Sequence, residues 1–422
     1  MNGEQDAGRK GDDINVVVVN ATNLGSILDG IGIYTLNIVR ELAHTRTSHS
    51  FILYMNRTAQ VHFQDTHFPP HCAVHWVSAK LSPDHGFRGH LLRLAYANYL
   101  GIKHWRHLLF GTSQLEAVLF RRNQILMIHD LIPFLFKRCH KKQYYYYGYI
   151  LTHALRYARR IITPSHHTKG LLEQCFGVQP ERVRVIHHGT LGEAVVRRQP
   201  VLSPLVPFIL YSGRIVRMKN ITGVLKAFAR IQDRVPHRLV VTGHGRHQFD
   251  RVFDTVRLVR YGVDPHRVEF KGHVSTEELV GLLHQASLLV FPSFYEGFGL
   301  PPLEAMACGC PSVVSHVASL PEVCGDAAYY VDPYDVGAIA EGMYTVLTNE
   351  NLRRSLVARG LKRASQFRWT HSLQAHLEVF NELLQPSVAA RARSERERFP
   401  RVHSTGELSG QAMFQMPRTS LR

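Results

Sequence analysis

The chain has 422 residues, room for two or three domains. Hydrophobic residues make up 45% of it, which excludes a disordered polymer, and 50 Lys and Arg against 33 Asp and Glu leave a net charge of +17. That charge admits nucleic acid, a membrane surface or an anionic ligand as partner. No apolar run approaches the roughly 18–20 residues of a membrane span, and the polar, acid-bearing start MNGEQDAGRKGDD is not expected to act as a signal peptide. A cytoplasmic protein is expected.

In chain order, residues 1–13 are expected to be disordered. INVVVVN (Ile14–Asn20) is a continuous β-branched run, the pattern of a strand buried on both faces of a parallel sheet. A Gly-bearing loop and TLNIVREL (Thr35–Leu42) at helical period follow it. FILYM, QILMIHD, ARRIITPS and RVRVIHHG predict further strands, with helical stretches between several of them. Residues 191–206, rich in Pro, Arg and Val, predict a linker. The alternation restarts with PFILYSGR, NITGVLKAFARI, HRLVVTGHG, RVEFKGHV and ASLLVFPS. Strands and helices taking turns predict right-handed βαβ units and doubly wound sheets. The expected organisation is therefore α/β, with domains at 14–190 and 207–370, a C-terminal helix at 371–385 and a disordered basic tail at 386–422.

Six Cys are scattered without a C-x-x-C pair. Cys308 and Cys310 flank a Gly at what reads as a helix end, poor geometry for a disulfide and short of a zinc set. Reduced, mostly buried thiols are expected.

The most informative stretch is FPSFYEGFGLPPLEAMACGCP, Phe291 to Pro311. An apolar strand ends near Ser293; Gly297 and Gly299 allow a tight turn and a close approach to a ligand. Pro301 and Pro302 suit a first helical turn, and Gly309 suits a C-terminal cap. A helix starting near Leu300 would turn free N–H groups toward the loop, which suits a phosphate. Glu296 precedes the turn and Glu304 follows it.

This Glu-x7-Glu arrangement resembles the signature of the retaining family 4 glycosyltransferases, which have the GT-B fold of two Rossmann-like domains facing across a cleft. The resemblance implies that Glu296 lies beside the transferred sugar, that Glu304 holds the nucleotide ribose, and that backbone at Phe298, Gly299 and Leu300 meets the sugar and diphosphate. YSGRIVRMKN (Tyr211–Asn220) resembles the family's Gly-Arg-…-Lys-Asn segment, which implies a diphosphate clamp of Arg214 and Lys219. Independently, two cations just past a strand's C-terminal end sit where α/β sheets bind ligands. VTGHGRHQFD and FKGHVS follow strands, and the resemblance puts Val274 at the nucleotide base. GSILDGIGIYTLNIVREL resembles the family's glycine loop facing the donor, with Gly30 and Gly32 as the turn; where the family often has Arg the chain has Ile33. MIHDLIPFLF resembles its His-Asp segment, implying that His129, with Asp130, contacts the donor sugar and positions the reactants. In ARRIITPSHHTKGLL, Ser165 reads as a helix N-cap.

The HDLIP and GFGLPPLEAMACG forms look closest to bacterial mannosyltransferases that use GDP-mannose. The resemblance then implies a retaining hexosyltransferase of cell-surface polysaccharide biosynthesis, acting on a saccharide or lipid-linked saccharide. A UDP-sugar donor on the same fold is the alternative; a nucleotide-sugar epimerase or a non-catalytic nucleotide-binding protein is the alternative of another class. No Asp-x-Asp occurs in the chain, so no metal and no other cofactor are expected. Phe136 to Arg160 holds seven Lys or Arg, seven aromatics and no acid, a composition suited to an anionic membrane surface at the inner face of the plasma membrane. The run Tyr144–Tyr147 cannot all face one way on a helix, so part of it belongs to the core. No nucleic-acid-binding module is present in the sequence, and no nucleic-acid partner is expected.

Overall fold

The structure is a computed structural model describing residues 15–137, 140–192, 196, 206–243 and 254–384. Among these residues thirteen strands form two wholly parallel sheets. The first holds β1 (Val16–Asn20), β2 (Ser50–Asn56), β3 (Cys72–Val77), β4 (Leu108–Gly111), β5 (Gln124–Met127), β6 (Arg160–Thr163) and β7 (Val183–Val185), in the order β3-β2-β1-β4-β5-β6-β7. The second holds β8 (Phe208–Ser212), β9 (Arg238–Thr242), β10 (Val268–Gly272), β11 (Leu288–Phe291), β12 (Ser312–Ser315) and β13 (Tyr329–Val331), in the order β10-β9-β8-β11-β12-β13. Strand order reverses beside β1 and beside β8, so each sheet opens a crevice at its strands' C-terminal ends. These are the two doubly wound, Rossmann-like sheets that the alternation predicts.

The apolar runs explain the layering. In β8, Ile209 and Tyr211 join the core formed with Val224 and Phe228 of α7 (Ile221–Ile231), while Phe208 and Leu210 join Leu289, Leu303 and Val314 on the other face. Successive strand side chains point to opposite faces, so a run apolar at every position is sandwiched between helices. In the first sheet Val18 sits between Ile52 and Leu109 and packs with Ala97 and Leu100 of α2 (Gly86–Lys103).

The sequence reading misses β3, β4, β12 and β13. β3 and β13 are edge strands, paired on one side only, and β4 and β12 have four residues each, too few to show a period. The expected strand over Gln124–Asp130 stops at Met127, which leaves His129 and Asp130 in the loop beyond it. Gly30 and Gly32 are not a loop turn: both belong to the first turn of α1 (Gly30–His44), capped by Asp29, whose carboxylate accepts from Gly32 N–H at 3.0 Å.

Three further helices follow β5 in the first half: α3 (Ile132–Leu135), α4 (Lys141–Tyr145) and, after a π-helical turn at Tyr146–Leu151, α5 (Thr152–Tyr157). Tyr146 and Tyr147 are buried and Tyr145 and Tyr149 exposed, which divides the tyrosine run between core and surface. The Ser165 hydroxyl caps α6 (His166–Phe176), accepting from Thr168 N–H at 3.1 Å. The last helix begins at Trp369, earlier than expected, and its Phe380 packs on Phe51 and Phe110 of the first sheet. Cys72, Cys308, Cys310 and Cys324 are buried free thiols, whereas Cys175 is exposed. The expectations for residues 1–13, for the tail 386–422, for most of the linker and for Cys139 fall outside the described residues.

Candidate active site

The loop after β8 places the cations. Asn220 adopts a left-handed backbone (φ 54°) and caps α7 through its side-chain oxygen, which accepts from Gly223 N–H at 3.2 Å. Its amide nitrogen donates to the carbonyls of Pro292 (3.1 Å) and Pro333 (2.7 Å). One side chain therefore ties the loops following β8, β11 and β13, and fixes the residue before it, Lys219. The Lys219 ammonium donates to both carboxylate oxygens of Glu296 at 2.7 Å and lies 5.1 Å from the centre of the Phe291 ring. Both side chains are largely buried, and a charge pair that loses water needs this two-oxygen geometry to hold. Arg214 is exposed beyond β8, and its guanidinium has no partner among the described residues.

The double-glycine turn has two separate reasons. Gly299 has φ 124°, a region closed to residues with a Cβ. A Cβ on Gly297 would lie 2.2 Å from the His129 carbonyl oxygen and 2.8 Å from the Asp130 Cβ. The close approach at Gly297 is to the loop after β5, a contact that the sequence reading did not include. The Ser165 hydroxyl donates to the Gly297 carbonyl at 2.8 Å, and the Ser319 hydroxyl reaches the carbonyls of Glu296 (3.0 Å) and Phe298 (2.6 Å). The Phe298 ring faces inward, 4.8 Å from His188. α10 (Leu300–Ala307) then begins with no side-chain cap on its free N–H groups. Glu304 is its fifth residue, a turn further in than first-turn dipole complementation requires. Burial pushes its carboxyl up to about 7, and no charged partner offsets that.

The loop after β5 brings His129 and Asp130 to the same place. His129 Nε2 lies 2.9 Å from the Thr112 carbonyl oxygen, so the proton is on Nε2 and Nδ1 is the ring's acceptor. Burial holds this imidazole neutral, with its pKa down at about 4. The ring meets Tyr34 edge-on at 4.8 Å and lies 5.6 Å from His188. Gln114 accepts from His129 N–H at 3.1 Å and donates to the Tyr147 hydroxyl at 3.0 Å, so the buried tyrosine run braces this loop. Burial pushes Asp130 up to about 6; the Ile132 N–H bond and Lys219 oppose that rise, and Glu296 adds to it.

Lys219, Glu296, Asp130, His129 and the turn at Gly297–Leu300 form one cluster. Glu304, Arg214 and Val274, the last two residues beyond β10, make no hydrogen bond or ion pair to it. Sequence reasoning missed Asp29, Thr112, Gln114, Ser319 and the pinning role of Asn220. Only Asp29, an acid three residues before a helical glycine, left a legible capping signal.

Residues 28–190 match the model of Glycosyltransferase Family 4, and residues 196–363 match the model of Glycosyl transferases group 1. The chain is 32% identical over 270 residues to the O-antigen chain mannosyltransferase B of Escherichia coli, covering 61% of this chain and 70% of that protein. It is 35% identical over 181 residues to the serotype-specific mannosyltransferase WbdA of the same organism, 43% of this chain but only 22% of that longer relative. Among solved structures, sucrose-phosphate synthase of Thermosynechococcus elongatus superposes with TM-score 0.68 at 20% identity, covering 87% of this chain and 99% of that one. WaaG, a glycosyltransferase involved in lipopolysaccharide biosynthesis, superposes with TM-score 0.64 at 16% identity, covering 86% and 99%. The fold they share with this chain is GT-B.

Proposed function

The chain belongs to the family 4 glycosyltransferases, and from that premise we propose that it transfers mannose from GDP-mannose, with retention of configuration, to a lipid-linked saccharide of a cell-surface polysaccharide. The names of the Escherichia coli relatives support the sugar and the pathway class. The observation that carries the chemistry is the Lys219–Glu296 pair, 2.7 Å to each oxygen, beside the uncapped start of α10.

In this reading the departing diphosphate gathers negative charge, which Arg214, Lys219 and the α10 N-terminus stabilise. Lys219 is held in place by Glu296 until the donor arrives, and Glu296 then polarises the sugar. The leaving phosphate oxygen takes the acceptor proton on the face it vacates, so no side chain acts as a strong base. His129 presents its neutral Nδ1, with Asp130, to the sugar hydroxyls. Glu304 takes the ribose hydroxyls, backbone at Phe298–Leu300 meets the sugar and diphosphate, and Val274 borders the base. Gly30 and Gly32 open the first turn of α1 toward the donor. No metal or other cofactor takes part.

The partner surface is part of the same proposal. Lys137, Lys141, Lys142, Tyr145 and Tyr149 are exposed and face an anionic membrane at the site of the lipid-linked acceptor. No helix among the described residues is long and apolar enough to cross a membrane.

The test is release of nucleoside diphosphate from GDP-mannose and from UDP-glucose in the presence of a membrane extract, with and without chelator. GDP-mannose should be consumed at the same rate in both conditions. Glu296→Ala should lower transfer by about a hundredfold or more, while GDP still raises the melting temperature as in the wild type. Transfer surviving that change would refute the site, consumption of UDP-glucose alone would refute the donor, and chelator inhibition reversed by a divalent ion would refute metal independence.

A further inference from the structure

A positive feature outside the active site lies at the other end of the same strands. Arg122, Asn123, Arg156, Tyr157, Ala158, Arg159 and Arg182 line a surface cavity of about 680 Å³. Along β5, Arg122 and Asn123 precede the strand and His129 and Asp130 follow it, so this cavity and the catalytic cluster occupy opposite edges of the sheet.

Among the described residues the four guanidiniums have no ion pair to neutralise them. None of the lining residues is acidic. From Gly86 to Arg160 the chain has thirteen Lys and Arg but only two acids. Glu116 is buried against Arg93 at 3.0 Å, and Asp130 sits at the catalytic edge. Arg182 donates to the carbonyls of Leu155 and Ala158, which fixes it in the wall. Arg122, Arg156 and Arg159 carry no ion pair among the described residues. Like charges gathered without a counter-charge repel one another, and a bound anion relieves that repulsion. Guanidinium forks match the oxygens of a phosphate.

The rim of the cavity carries exposed aromatic and aliphatic side chains. Phe120 is 72% exposed on a left-handed backbone (φ 56°), its ring 4.4 Å from His153 and 6.0 Å from Tyr157 of the cavity wall. Trp105 is 67% exposed, with the Arg106 guanidinium 4.8 Å over its ring, and Ile102 is 77% exposed. The Asn123 amide donates to the His107 carbonyl at 2.9 Å, which ties the cavity to the turn carrying Trp105. A soluble phosphate compound has no use for bare aromatic and aliphatic side chains around its site; a bilayer interface takes both at headgroup depth.

We propose that this cavity binds the phosphate of an anionic lipid headgroup, with Ile102, Trp105 and Phe120 entering the interface around it. The site rests on the membrane reading above and adds the arginine cavity to Lys141 and Lys142 as a contact with the same surface.

The full chain is floated with vesicles of phosphatidylcholine, with and without phosphatidylglycerol, and titrated with inorganic pyrophosphate. The wild type should float only with phosphatidylglycerol. Arg122→Gln/Arg156→Gln/Arg159→Gln should weaken that partition by about fivefold for each charge removed. Arg238→Gln/Arg257→Gln/Arg260→Gln, which removes three exposed cations elsewhere, should leave it near the wild-type value. Equal loss in both triple variants would reduce the effect to net charge and overturn the site, as would no loss in the first. Tight pyrophosphate binding that the first triple abolishes, without vesicle binding, would overturn the lipid assignment. Loss on Lys141→Glu/Lys142→Glu but not in the arginine triple would keep the membrane reading and remove the cavity from it.

Discussion

The loop after β11 and the loop after β5 meet at Gly297, yet they are built by opposite means. Glu296 is ionically paired with Lys219, and its loop is closed by short links to Asn220, Ser319 and the α10 start, mostly from its own sheet's loops. His129 is a neutral imidazole in an aromatic setting, held by Thr112, Gln114 and, through Gln114, by Tyr147. An ion pair is presented from one side; from the other comes a neutral imidazole with the Asp130 carboxyl beside it. In the proposed reaction such a division lets a developing anion be met by cations while His129, being neutral, does not compete for them.

The buried histidines and Glu304 also respond to acid in opposite senses. Burial lowers the pKa values of His129 and His376 to about 4 and holds that of His188 well below the ordinary imidazole value. Stability from these neutral rings is present above the ordinary imidazole value, about 6.5, and is lost as pH falls toward 4. Glu304, raised to about 7, does the reverse: its contribution is complete below about 4.5 and is lost as pH rises through 7.

The largest expected effect comes from forcing the two loops apart. Gly297→Ala places a methyl group against the His129 carbonyl, and backbone cannot yield as a flexible side chain does. Transfer should fall about a hundredfold, with a loss of about 1–3 kcal/mol in denaturant unfolding. Wild-type kinetics in this variant would show that the contact at Gly297 is dispensable.

A smaller effect isolates the carboxylate side. Without nucleotide, Glu304→Gln should exceed the wild type in stability by about 2–3 kcal/mol near pH 8, and by less than about 1 kcal/mol near pH 5. Thermal unfolding at both pH values checks the sign, and a variant less stable at the higher pH would contradict the burial cost. The smallest effect probes the neutral side: Tyr147→Phe removes the hydroxyl that accepts from Gln114 and should cost about 1 kcal/mol with little change in nucleotide affinity. A large loss of nucleotide affinity there would mean that the two loops are not separable.

Legibility followed the range of the interactions. The loop after β11 announced itself because strand, acid, glycines, prolines and second acid are contiguous from Phe291 to Glu304. The loop after β5 showed only His-Asp beside a strand, because its supports lie 15 to 17 residues upstream and 17 residues downstream. Ser319 lies 23 residues beyond Glu296 and has no signal of its own. The excess of positive charge divides in the same manner. Composition located the acid-free stretch, but Arg122 and Arg182 join Arg156 and Arg159 only because β5, β6 and β7 lie side by side.

By itself, then, the sequence determined the α/β alternation, the break between two sheets and the Glu-x7-Glu turn, since each depends on residues within one local period or one loop. Tertiary structure alone decided that Gly297 serves the neighbouring loop, that Lys219 faces Glu296, that His129 is a fixed tautomer, and that four arginines share one cavity. Those facts depend on crossover connections that bring distant loops to one edge of a parallel sheet, where neither spacing nor composition records who meets whom.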